Sequence, residues 1–150
     1  MPEPIVGGAP RLVLAFDFGH KRIGVACGDT LSRTAAPLHT VPAGPGGPQW
    51  DVIDSLMRDW QPAVVVVGLP YNVDDSESGM TGAARRFAAE LERRYPVKMA
   101  LIDERYSSLE AASRLKEARE SGLRKRRVAK SDVDAEAACV ILERWFGEVT

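Results

Sequence analysis

Cysteine, histidine and net charge are all scarce in this sequence. Of 150 residues, two are cysteine and two histidine, and the formal net charge is -1. Cys27 and Cys139 each sit inside an apolar run, so they read as small buried hydrophobes in a reducing compartment and not as a disulfide framework. There is no CxxC and no Cys/His zinc spacing, and His20 and His39 stand alone. A near-neutral balance removes any global basic field, so a nucleic-acid surface has to be local. No apolar stretch approaches the roughly 20 residues that crossing a bilayer needs. Met1–Pro10 is rich in Pro and Gly and lacks the basic-then-apolar pattern of a secretory signal. These absences predict a cytoplasmic protein with no membrane partner, with residues 1–10 as a flexible tail and one domain over 11–148.

What is present is organised around one stretch. Leu12–Phe16 is an apolar run that ends in Asp17, with Gly19 following and a second apolar run, Ile23–Cys27, beyond it. The first run reads as a buried central strand, and an ionised carboxylate at its end is costly unless paired, hydrogen-bonded or bound to a metal. Thr34–Val41 reads as a third strand, with Pro37 favouring an edge or a strand start. Ala43–Pro48 reads as a turn-rich break. Trp50, Ile53, Leu56, Met57 and Trp60 share one helical face, and Gln61-Pro62 stops that helix. Ala63–Val67 is a β-branched run expected to be covered on both faces. A second amphipathic helix runs from Met80 to Tyr95, and Val97–Ile102 is the last strand. Ser107-Ser-Leu-Glu110 fits a capping box that opens a helix ending near Ser121, and Ser131 opens a final helix to about Phe146. The order predicts an α/β fold with a mixed sheet. Three strands form an antiparallel meander, and two later strands, reached through helical crossovers, run parallel to the first.

The final helix sorts its acids. At about 100° per residue, Ala138, Ile141, Leu142 and Trp145 share a face, and Asp134 lies on it. Asp132, Glu136 and Glu143 fall away from it and read as solvated charges. Ser131-x-x-Asp134 also matches a capping box, which would give the aspartate a purely local use. Past the last strand come Asp103 and Glu104, where ligand-binding groups of open α/β sheets collect. Strand alternation does not choose between them, because both faces of Val97–Ile102 are apolar. Hard oxygen donors from separate elements suit Mg²⁺ or Mn²⁺. Such a cluster can hold two ions about 3.5–4 Å apart across a phosphodiester. Lys21, Arg22, Lys130 and the acid-free run Arg124, Lys125, Arg126, Arg127 are candidate phosphate contacts. Asn72, in the Leu69–Gly79 loop, either guides substrate or turns the chain.

Four segments together resemble the YqgF family of bacterial ribonuclease H-like proteins: Asp17-Phe-Gly-His-Lys-Arg-Ile-Gly-Val-Ala, Val67-Gly-Leu-Pro-Tyr-Asn72, Asp103-Glu-Arg-Tyr-Ser107 and Lys130-x-x-Val-Asp134-x-x-Ala-Ala-x-Val-Ile-Leu142. The resemblance runs from about Leu12 to Phe146. It implies a ribonuclease H-like fold with a five-stranded sheet in the order 3-2-1-4-5. It implies a catalytic, metal-binding triad of Asp17, Glu104 and Asp134, and so favours Glu104 over Asp103. It implies a metal-dependent endonuclease acting on structured RNA in the maturation of 16S rRNA precursor. The alternatives are a branched-DNA (Holliday junction) resolvase and a non-cleaving nucleic-acid-binding module. A resolvase needs a dimer, and no apolar seam in the sequence declares one, so the expected state is a monomer or weak homodimer. The chain departs from the family pattern at His20 and Ser131, neither of them in the triad. An actin-like or sugar-kinase-like ATP-binding fold also opens with Asp-x-Gly but needs two related domains, which 150 residues cannot supply.

Overall fold

A computed structural model describes residues 11–70, 79–103, 107–120 and 130–148. Residues 1–10, expected to form a flexible tail, lie outside the described residues. The elements in chain order are β1 (Leu12–Phe18), β2 (Arg22–Asp29), β3 (Ala35–Gly44), β4 (Gly47–Pro48), α1 (Trp50–Trp60), β5 (Val64–Leu69), α2 (Gly79–Arg94), β6 (Lys98–Asp103), α3 (Ser107–Glu120) and α4 (Lys130–Glu148). One six-stranded sheet has the order β4-β3-β2-β1-β5-β6. β1 to β4 form the antiparallel meander, and β5 and β6 run parallel to β1 and to each other. Among the described residues no helix is long and apolar enough to cross a membrane.

The sheet has one strand more than expected. Ala43–Pro48 is not a plain break. β3 continues to Gly44, Pro45-Gly46 turns the chain, and Gly47-Pro48 returns to pair with Gly44 and Ala43. Gly47 takes φ +98°, which a side chain would resist. A two-residue strand is too short to leave an alternating pattern in the sequence. Pro37 sits beside a bulge, where the β2–β3 register shifts between Val25 and Ala26, so its missing N–H costs no regular ladder bond. Helix α1 ends where expected. Gln61 adopts the left-handed conformation, donates its N–H to the Met57 carbonyl at 2.9 Å, and is followed by Pro62.

Strand alternation divides the core into two layers. Val13, Ala15, Ala26, Val64, Val66 and Ile102 point towards α4 and meet Ala138, Ile141, Leu142, Trp145 and Phe146. Leu14, Phe16, Ile23, Val25, Val65 and Val67 point the other way and meet Ile53 and Met57 of α1 and Phe87 and Leu91 of α2. The run Val64–Leu69 is buried throughout, as a strand covered on both faces should be. Helix α4 is buried on two sides, because α3 packs on it through Ala111 against Ala137 and Val140.

Beyond Arg22 at its start, β2 presents Gly24, Ala26 and Gly28 on the α4 side. The helix uses the space. A Cβ at Gly24 would stand 1.9 Å from the Asp134 carbonyl oxygen, and one at Gly28 would stand 3.1 Å from Leu142 Cδ2. The other end of α4 is tied by Arg33, whose Nη2 donates to the Phe146 carbonyl at 2.5 Å. Gly24→Ala should therefore push α4 off the sheet and cost about 3 kcal/mol or more in urea unfolding. Gly44→Ala, with nothing within 4 Å of its added methyl, should stay within about 0.5 kcal/mol of the parent.

Candidate active site

Asp17 is the next residue on the α4 side of β1 after Val13 and Ala15. It is half-buried, and its partner across the antiparallel ladder is Gly24. Gly24 is also where the Asp134 backbone touches the sheet. The two aspartates, 117 positions apart in the chain, are thus carried to one face, a single strand apart. Arg22 opens β2 on the same face and donates from Nε to Asp134 Oδ2 at 2.6 Å. The two side chains are 36% and 23% exposed, so the pair is shielded from water but not sealed off. The Asp134 carboxylate accepts from a distant arginine, a partner that a capping box does not supply.

Other candidates fall into three groups. Glu104, Asn72 and Arg124, Lys125, Arg126 and Arg127 lie outside the described residues. Lys130 is the first residue of α4, with its side chain undescribed. Lys21 is exposed at the β1–β2 turn, where its carbonyl accepts a 2.9 Å bond from Ala43 N–H. Asp103 ends β6, pairs with Leu69, and is exposed, and its carbonyl accepts from Arg144 Nη1 at 3.2 Å. Among the described residues no group of three His, Cys, Asp or Glu side chains is assembled closely enough to hold a metal ion. Burial pushes both the Cys27 and the Cys139 thiol above the ordinary thiol range, which disfavours the thiolate form.

A family model described as "RuvX: Holliday junction resolvase" matches residues 11–148. This chain belongs to the RuvX family. Three curated relatives carry the name "Putative pre-16S rRNA nuclease". The one from Legionella pneumophila strain Philadelphia 1 is 47% identical over 138 residues, 91% of this chain and 96% of the relative. That from Edwardsiella ictaluri is 47% identical over 137 residues, covering 91% and 95% of the two chains. That from Yersinia enterocolitica is 46% identical over 140 residues, covering 93% and 97%. Among solved structures, the chain is similar to Thermus thermophilus RuvC in complex with a Holliday junction substrate (TM-score 0.53, 17% identity, 92% of this chain and 94% of that one). It is also similar to the fowlpox virus resolvase in complex with Holliday junction DNA (TM-score 0.51, 12% identity, 92% and 98%). At these identities the likeness is one of fold, and it agrees with the ribonuclease H-like architecture expected from the four segments.

Two RuvX residues that looked like plain surface acids have structural work. Arg114 of α3 reaches Glu143 of α4 through Nη1 at 3.2 Å and Nη2 at 2.5 Å, and Glu136 through Nη1 at 3.5 Å. Glu136 and Glu143 are therefore not simply solvated. They clamp α3 to α4, and helical phase alone could not reveal a partner on another helix. Arg22, read from the sequence as a phosphate contact, likewise has a carboxylate partner, one that spacing could not show. Arg22→Ala should lower stability at neutral pH by roughly 1–2 kcal/mol, because it leaves a partly buried carboxylate unpaired. Urea unfolding of Arg22→Ala, Asp134→Asn and the double variant should return a coupling of about 1 kcal/mol, and additive losses would mean that the pair contributes nothing.

Proposed function

We propose that this chain is a divalent-metal-dependent endonuclease of structured RNA, acting in 5′-end maturation of pre-16S rRNA. The observation that carries the proposal is the meeting of Asp17 and Asp134 on the α4 face, across the bare backbone of Gly24. The curated relatives' name supplies the substrate. Asp17 and Asp134 offer hard carboxylate oxygen donors, which suit Mg²⁺ or Mn²⁺. Glu104 is the third donor in this reading. The resemblance of Asp103-Glu-Arg-Tyr-Ser107 to the family's motif favours it over Asp103. One or two ions held by these carboxylates supply Lewis-acid stabilisation of charge on the phosphate and ease deprotonation of the attacking water. The protein's own groups supply position. β1 fixes Asp17, the α4–β2 contact fixes Asp134, and Arg22 orients the Asp134 carboxylate and offsets its charge while no cation is present. In this reading Lys21, Lys130, Asn72 and the 124–127 run contact the nucleic acid.

A second reading, cleavage of branched DNA, follows the description of the matching family. It requires two sites held across a junction by a homodimer. Parallel assays on a 16S precursor RNA and a four-way DNA junction, with Mg²⁺, Mn²⁺ or EDTA, decide between the two. Asp17→Asn should lose at least about a thousandfold in rate on the true substrate while keeping the parent circular dichroism. Cleavage at the parental rate would end the assignment of Asp17. Replacing Arg124, Lys125, Arg126 and Arg127 by alanine should reduce the slope of log K against log salt by up to about 3. An unchanged slope would remove that loop from the interface.

A further inference from the structure

We propose that an aromatic groove on the opposite side of the sheet from Asp17 and Asp134 takes an unpaired nucleobase of the same substrate strand. The inference rests on the nucleic-acid reading above and adds a second contact to it. Phe18 follows Asp17 in β1, so alternation sends its ring to the other face. There it lies 5.0 Å from the Phe87 ring, tilted by 32°, and Phe87 lies 5.7 Å from Trp50, tilted by 30°. His20, exposed at the hairpin tip, stands edge-on to Phe18 at 6.1 Å. These rings and the β3–β4 turn bound an open groove of about 440 Å³, within the range of small-ligand sites. Phe87 is only 4% exposed and makes the floor, whereas Phe18 and Trp50 are half-buried and stay in reach of solvent.

The rim selects the occupant. Arg86 is exposed at the groove edge, and the Arg94 guanidinium lies 4.0 Å over the Trp50 ring. Among the described residues the one acid of the lining, Glu90, is bonded by Arg93 Nε at 3.1 Å and by Arg94 Nε at 2.8 Å, so its charge is offset. A groove with aromatic walls and a cationic rim fits a flat π-system attached to an anion, which describes a base on its phosphate backbone. An apolar peptide or a second copy of the chain would gain little from that rim. The groove and Asp17 meet through the hairpin at Gly19–Lys21, so a single strand bent round the tip touches both. Splayed, unpaired bases are how proteins commonly read RNA.

The test uses the full chain in EDTA, so that no cleavage is involved. The probes are a labelled single-stranded RNA hexamer, the same hexamer without bases, and a blunt RNA duplex. The hexamer should bind at least about tenfold more tightly than its abasic counterpart. It should quench tryptophan emission in the parent and not in Trp50→Phe, which keeps Trp60 and Trp145. His20→Ala/Arg86→Ala, two exposed positions, should weaken hexamer binding roughly tenfold and duplex binding less than twofold. The groove assignment is overturned if the double variant binds the hexamer like the parent, if the abasic hexamer binds equally well, or if duplex binding falls in step. It is also overturned if Trp50→Phe keeps the quenching. Asp17→Asn separates the two proposals. Full cleavage by that variant would sink the nuclease site, while the hexamer measurements still decide the groove.

Discussion

Gly24 has no side chain, and the Asp134 carbonyl occupies the space where one would be. Much of the molecule is arranged around that contact. β2 keeps its α4 side small with Gly24, Ala26 and Gly28, which lets a helix lie against the strand at backbone distance. The apolar residues of α4 then bury against β1, β5 and β6, and the helix is tied at its two ends by Arg22 and Arg33. Because Gly24 is also the ladder partner of Asp17, the helix cannot take its seat without bringing the Asp134 backbone beside the strand position opposite Asp17. Packing and site geometry are one constraint here, and a methyl group at residue 24 would disturb both.

The electrostatics follow from the same placement. A carboxylate drawn partly out of water against the sheet loses hydration. Arg22 answers part of this by pairing with Asp134 from the adjoining strand. The pair is partly exposed, so its contribution to stability is modest, and its more useful effect is orientation. The Arg114 clamp plays a comparable part further along α4, joining that helix to α3 through Glu136 and Glu143.

Periodicity made much of this legible in advance. The face shared by Asp134, Ala138, Ile141, Leu142 and Trp145 follows from helical phase, and that face does meet the sheet. The buried run Val64–Leu69 and the terminal position of Asp17 could be read in the same way. Other features were invisible because their cause lies between segments. Arg22 and Asp134 are 112 positions apart, so no local pattern joins them. The small face of β2 had a signal, the alternation Gly24-x-Ala26-x-Gly28, but its meaning depends on a helix arriving from the far end of the chain. Trp50 counted as one member of an apolar helix face, and only the fold shows that its ring, with Phe18 and Phe87, borders open space.

The short strand β4 has a consequence for how these molecules behave in a crowded solution. The outer strand of a sheet usually offers a row of free N–H and C=O groups to any passing extended chain. Here β4 covers only the Ala43–Gly44 end of β3, and along the rest of that border Pro37 and Pro42 have no N–H to offer and a bulge lies beside Pro37. Pro45 and Gly46 turn the chain just before β4. The border on this side is interrupted by prolines and a bulge and offers no long regular template, so strand-by-strand self-assembly is discouraged where the meander would otherwise continue.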